Sequence, residues 1–467
     1  MLSIRDRINT LGRHGLPLTL LSAALLTSCG HDDLMTAPAA PTVTLSVAPT
    51  TISLGQSATL TWSVMNAGTC SASGAWSGSQ PLSGTMTVTP TSDGTATYTL
   101  TCTSSAGMSG SAAGSSGQMS AMLKINSVYT ATALVSNMAG IALHQDANLV
   151  NPWGVVAGPA TPFWVANNHS NTSTLYDGAG KPLPLIVTLP ANGSGTTVDP
   201  TGIVFNATQD FKVNGGPALF IFSGEGGLIA GWNQASGTNT VITYPAANGD
   251  PGGAIYKGLA IAAVGTANYL YATDFHNNRI DVFDATFTKQ AWPATAFVDP
   301  NLPAGYAPYG IQAIPNGTGG ATQLYVAYAK QDADAEDDVN GAGLGLIDIF
   351  DTSGQFLTHL VATGGSLNAP WGMAVAPMDF GTLSGALLVG NFGDGTINAF
   401  DPAKGTYLTT LTDPTGKPFA MPGLWGIAFG NDHSSQPHNT LFFAAGVNDE
   451  ADGVYGRIDL GATPPAL

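Results

Sequence analysis

The sequence predicts an all-β protein, a six-bladed β-propeller preceded by a small antiparallel β-sandwich, and three observations carry that prediction. A unit of short apolar runs separated by turn residues recurs six times over the C-terminal two-thirds of the chain. Each copy opens with a Gly followed by alternating bulky and small apolar residues, the taper expected where strands crowd round a central axis. Upstream, from Thr42 to Asn126, β-branched and polar residues alternate with period two, as half-buried strands do.

At 467 residues, 44% of them apolar, the chain is long enough to bury more than one core. It is acidic, with 13 Lys and Arg against 30 Asp and Glu. That balance excludes a phosphate backbone as partner, so no nucleic acid is expected.

Residues 1–28 have the form of an export leader. Arg5, Arg7 and Arg13 precede the apolar run LPLTLLSAALL, which is too short to span a bilayer. The leader ends in Leu26-Thr27-Ser28, and Cys29 follows. Removing three Arg and one Asp with it takes the formal charge from −17 to −19. Residues 29–40, rich in Ala and Pro, suit a flexible tether. If Cys29 is lipidated, Cys70 and Cys102 remain as an even pair in an oxidising compartment, where a disulfide is the simplest state.

The predicted sandwich spans residues 41–126, with strands at TVTLSV, SATLTWSV, GTMTVTP, ATYTLTC and AMLKI. Residues 127–467 form the predicted propeller. Its first strands begin PWGVVAG, TGIVFNA, KGLAIAAV, YGIQAIP, WGMAVAP and WGIAFG, and successive glycines lie 48, 56, 52, 62 and 54 residues apart. Third strands end in Asp177, Asn233, Asp284, Asp351 and Asp401, read as turn-formers because a short polar side chain there bonds its own backbone. Copies one to five leave room for a fourth strand. The sixth does not, and VYTATALVSN at 128–137 is expected to close it and remove the open edges.

Leu-Thr-Ser-Cys resembles the bacterial lipobox, which implies lipidation of Cys29, membrane attachment and, with Gly30 next, an outer-membrane address in the cell envelope. Trp62, Cys70 and Cys102 give residues 41–126 a resemblance to bacterial immunoglobulin-like domains, although Cys70 follows the Trp instead of preceding it. The repeats resemble NHL and gluconolactonase-type six-bladed propellers. Through LVNPWGVV, YATDFHNNRIDVFD, NAPWGMAVAP and LWGIAFGN they are more similar to an uncharacterised bacterial family of exported propellers, which brings no activity with it.

In a propeller the loop leading into strand one and the turn between strands two and three open on one face. The first set carries Asn151, Trp153, Asn368, Trp371 and Trp425. The second carries Asn168, His169, Glu225, Asp274, His276, Asn277, Asn391, Asp394, Asn448 and Glu450. These are the candidate ligand-binding residues, although Asn and Asp also cap turns and Trp also packs between blades. Together they suit a glycan or a protein ligand. Asp274, Asn277, Asn391 and Asn448 are the candidate oxygen ligands for a divalent cofactor such as calcium. The acidic loop Gln331 to Gly341 lacks the early glycine of calcium loops and is read as a solvated loop with weak calcium affinity. No Ser-His-Asp grouping is legible. The chain is therefore read as a binding or scaffold protein, with a metal-dependent, lactonase-like hydrolase on the same face as the alternative.

Overall fold

The computed structural model describes residues 40–104, 115–245, 252–317 and 319–462. The expected leader, Cys29 and all but the last residue of the tether lie outside them. The protein is all-β, and no helix among the described residues is long and apolar enough to cross a membrane.

Alternation in the N-terminal segment translates directly into burial. In Thr42–Ala48 and Ala58–Met65 every second residue is buried. The first of these pairs with the second, which pairs with Ser83–Val88; a second sheet runs Thr51–Ser53, Ser116–Asn126, Gly94–Thr103, Thr69–Gly74 and Gly78–Gln80. Leu60, Trp62, Leu100 and Leu123 fill the space between them. Cys70 and Cys102 are bonded to each other as directly opposed residues of neighbouring strands. The bridge therefore lies within one sheet, and Trp62 packs edge-on against Trp76.

The remaining chain forms, among the described residues, six sheets of three to five strands in sequence order, antiparallel except for the pair His144–Gln145 and Tyr129–Ser136, together with a small hairpin of Lys212–Val213 and Gly216–Pro217. Their first strands are Pro152–Val156, Pro200–Phe205, Tyr256–Val264, Tyr306–Pro315, Pro370–Val375 and Leu424–Phe429. Each packs against the first strand of the next sheet, and the sixth returns to the first, which is the arrangement of a β-propeller. Tyr129–Ser136 joins the sixth sheet next to Val454–Leu460, paired antiparallel with it from Leu460↔Tyr129 to Val454↔Ser136, and the two-residue strand His144–Gln145 lies parallel on its outer side. Tyr129 stacks on Phe380 and donates to its carbonyl, while Leu134 and Val135 are fully buried.

The third sheet departs from expectation, since only three of its described segments are strands. After Phe283 the chain makes one bridge to Lys289 and then crosses to the fourth sheet, where the Phe297 amide donates to Gly354 and its ring packs on Phe350. The third-strand aspartates behave as the sequence implies. Asp177, Asp284, Asp351 and Asp401 each accept from the amide two residues on, and Asn233 caps a short 3-10 turn.

A chain shortened to begin at Leu149 loses the pairing to Val454–Leu460 and should unfold at a much lower temperature than one beginning at Ser127, which keeps it. Thermal unfolding by circular dichroism checks this, and equal midpoints would contradict the role given to Tyr129–Ser136.

Candidate functional site: the axial mouth

All six first strands carry a β-bulge at the same place, immediately around the repeat glycine. Pairing skips from Pro152 to Val155, Pro200 to Ile203, Tyr256 to Leu259, Pro308 to Gly310, Pro370 to Met373 and Leu424 to Ile427. A bulge re-aims the side chain it displaces. The residues before the glycines are Trp153, Thr201, Lys257, Tyr309, Trp371 and Trp425, and all but Thr201 converge with Phe275 and Phe392 on the axis. Trp153 and Trp425 stack with centroids 3.3 Å apart, Trp371 meets both edge-on at 5.9 Å, and Tyr309 lies 5.8 Å from Trp425. The axis is thus plugged by aromatic rings.

Against this plug sits Lys257, which is 1% exposed. Its Nζ lies 5.4 Å from the centre of Trp153, 2.5 Å from Glu225 Oε1 and 3.0 Å from Asp337 Oδ1. Burial opposes the charge on the ammonium, but Glu225 and then Asp337 outweigh it and hold the pKa above the ordinary lysine value. Asn168 donates to the other oxygen of Glu225, and Tyr309 donates to Asp338 at 2.6 Å. Asn151, with φ 45°, accepts from the Trp425 indole at 3.2 Å and reaches the exposed His169 at 3.4 Å. Glu450 completes the cluster from a loop in which Asn448, Asp449 and Glu450 all have positive φ, conformations that non-glycine residues rarely adopt in series. Burial raises the pKa of both Glu450 and Asp338, against the hydrogen bond that each receives from Asn151 or Tyr309.

Four carboxylates therefore face one lysine. Three polar atoms in the cluster are buried without a partner: Glu450 Oε1, Asp338 Oδ2 and Trp153 Nε1. Such atoms are uncommon because each forfeits its hydration.

Of the sequence candidates, Asn151, Trp153, Asn168, His169, Glu225, Trp371, Trp425 and Glu450 belong to this mouth. His276 borders it, its Nδ1 lying 3.2 Å from the carbonyl of Ala335. The others serve local structure. Asp274 is buried in an ion pair with Arg279 and takes the amide of Asn277; burial, its largest influence, raises its pKa. Asn391 bonds Ser366 and Thr396, Asp394 accepts from Thr396, Asn368 holds the Gly341 amide, and Asn448 bonds Asp452. Of the four proposed metal ligands, Asn277 donates to Asp274, Asn391 to Ser366 and Thr396, and Asn448 to Asp452.

Lys257, Asp337 and Asp338 do not emerge from the sequence as site residues. A signal for Lys257 existed, because it holds the slot that aromatic residues hold in four other copies. The acidic loop is mostly exposed, as read, and is also tied to the mouth. Gln331 donates to the carbonyl of Phe275, and the loop delivers Asp337 and Asp338 to the lysine.

Below the plug, the first strands splay into an apolar funnel of about 520 Å³ whose lining includes Val155, Phe205, Ile261, Ile314 and Phe429, with Gln312 bringing the one side-chain amide. A larger cavity of about 720 Å³, in the sandwich, is lined by Trp76, Met86, Asp93 and Tyr98 and holds no cluster of charged groups.

The chain is 34% identical over 340 residues to the uncharacterised protein R648 of Acanthamoeba polyphaga mimivirus, covering 70% of this chain and 78% of that one. It is 32% identical over 341 residues to L690 of the same virus, covering 70% and 84%. It belongs to the family of these proteins. No family profile matches the chain. Among solved structures, the fold is similar to a streptogramin B lyase at 16% identity and TM-score 0.41, covering 71% of this chain and 98% of that one. An auxiliary nutrient-binding protein from Bacteroides thetaiotaomicron gives 10% and 0.42, covering 89% and 97%. At these scores neither bears on what members of the family do.

The exposure of the partners ranks their importance to Lys257. Glu225→Ala should destabilise the protein by about 3 kcal/mol, since it strands a buried ammonium. Asp337, 75% exposed, should cost under about 1 kcal/mol when replaced by Ala. Urea unfolding of both variants checks the order, and a larger effect at Asp337 would contradict it.

Proposed function

We propose that this protein is an exported, lipid-anchored binding or scaffold protein of the cell envelope: a six-bladed propeller carried on an immunoglobulin-like spacer, whose axial mouth binds a glycan or protein ligand. The unpartnered Glu450 Oε1, Asp338 Oδ2 and Trp153 Nε1 carry the reading. They are two acceptors and one donor, held out of water around a charged lysine on an aromatic floor, and a ligand rich in hydroxyl or amide groups would satisfy all three. Lipidation at Cys29 would hold the sandwich between the membrane and the propeller.

One observation favours the alternative of a metal-dependent, lactonase-like hydrolase. Glu450 and Asp338 have raised pKa values, and a carboxyl that keeps its proton to higher pH is a better general acid. Calcium or a similar divalent ion at the mouth would be held by Glu225, Asp337, Asp338 and Glu450.

Calorimetric titration with oligosaccharides released from a bacterial envelope, together with crosslinking of envelope proteins, tests the proposal. Wild type should bind a ligand saturably, and Glu450→Ala and Asp338→Ala should each weaken binding at least about tenfold, as expected when a buried hydrogen bond of about 1.4 kcal/mol or more is lost. Calcium-dependent lactone hydrolysis lost in the same variants would favour the hydrolase, and binding unaffected by either variant would refute the assignment of the mouth. Labelled palmitate should enter wild type and not Cys29→Ala; label persisting in the variant would contradict the anchor.

A further inference from the structure

A second group of titratable side chains lies on the outer half of the fourth sheet and takes no part in the mouth. Asp348 is on the third strand, Leu346–Asp351, and His359 is on the outer strand, Phe356–Val361. Asp299 comes from the segment that crosses from the third sheet to the fourth. Neither carboxylate side chain exposes any surface, and His359 is the only ion-pairing partner of either among the described residues. Its Nδ1 lies 2.7 Å from Asp348 Oδ1 and 3.6 Å from Asp299 Oδ2. One oxygen of each carboxylate, Asp299 Oδ2 and Asp348 Oδ2, is buried with no hydrogen-bond partner.

Two buried carboxylates against at most one imidazolium leave a negative charge without a counter-charge, in surroundings where an isolated ion is expensive. Tyr328 also borders the pair, and burial and then the charge of Asp348 push its phenol well above the ordinary range, so it brings no positive charge. A proton shared between the carboxyls or a bound cation would relieve the repulsion.

We propose that Asp299, Asp348 and His359 form a binding site for a divalent metal ion of the zinc or manganese class, which clamps the crossing segment to the two outer strands of the fourth sheet. The donor set selects the class. One imidazole nitrogen with two carboxylate oxygens suits zinc and manganese, whereas calcium and magnesium take oxygen alone. One ligand atom from each residue falls within 4.8 Å of the others. Tetrahedral ligands about 2.1 Å from an ion stand about 3.4 Å apart, so the imidazole contacts at 2.7 and 3.6 Å bracket the required spacing. His359, whose side chain is 31% exposed, provides the way in and leaves room for water as a further ligand. In this place the ion would hold structure together, anchoring a segment that stands where the third sheet lacks an outer strand.

Full-length protein is stripped with a chelator and titrated separately with Zn²⁺, followed by thermal unfolding, and with Mn²⁺, followed by electron paramagnetic resonance. One ion per chain should bind, and Zn²⁺ should raise the unfolding midpoint by several degrees. His359→Ala should abolish nitrogen coupling to Mn²⁺, and both it and Asp299→Asn should weaken binding at least tenfold. Asp401→Asn, at an exposed turn, should leave binding unchanged. No saturable binding by stripped wild type would overturn the site. So would binding that survives in His359→Ala and Asp299→Asn but is lost in Glu450→Gln, which would put the ion at the axial mouth. If wild type takes up no ion and Asp348→Asn unfolds at a higher temperature than wild type, the site is overturned and the pair shares a proton instead.

Discussion

Close contact between a glycine on one first strand and the backbone of the next governs the rest of this structure. A methyl group added at Gly310 would lie 2.2 Å from the carbonyl oxygen of Trp371, and one added at Gly426 would lie 2.4 Å from that of Trp153. Gly372 approaches Trp425 in the same way, Gly258 approaches Tyr309, and Gly154 approaches Thr201. No side chain fits in that gap, so the ring of sheets can draw this tight only with glycine at each crossing. The bulge beside each glycine then turns the preceding residue onto the axis, Thr201 excepted. Packing and site therefore follow from one repeated dipeptide.

Filling the axis with indoles has an electrostatic consequence. A lysine in one of the six slots loses nearly all its water, and it remains charged because Glu225 and Asp337 are brought to it by neighbouring turns. Those carboxylates in turn crowd Glu450 and Asp338, whose burial raises their pKa values. The concentration of unpartnered polar atoms at this mouth follows from placing one cation in an otherwise aromatic ring. Nothing similar occurs in the funnel at the other end, where the same strands present Val, Ile and Phe.

How much of this was legible in the sequence depended on whether a feature repeats. The all-β class and the propeller-type repeat stand out because Gly, the apolar alternation and the third-strand Asp recur at matching positions. Cys70 and Cys102 were the one pairing left once Cys29 is set aside, although their place within a single sheet depended on strand order. Features present once were hidden. Lys257 looks like the start of an ordinary strand unless the six copies are aligned at the residue before Gly. Asp337 and Asp338 belong to a run of acids whose contacts depend on where a long loop lands. Asp299, Asp348 and His359 are 11 to 60 residues apart, and only the missing outer strand of the third sheet lets them meet. Asn391 and Asn448 read as ligands because their turns face the mouth, and the partners of their amide nitrogens, Ser366, Thr396 and Asp452, could not be read from the sequence.

The central claim is that the repeat glycine sets the position of the axial ring. Its most direct test is the circular dichroism of Gly426→Ala, read at the exciton couplet that stacked indoles such as Trp153 and Trp425 produce. The substitution should collapse the couplet and lower stability by about 1–3 kcal/mol, as overpacking does, while the β-sheet signal persists. A couplet and an unfolding midpoint both unchanged from wild type would contradict the account.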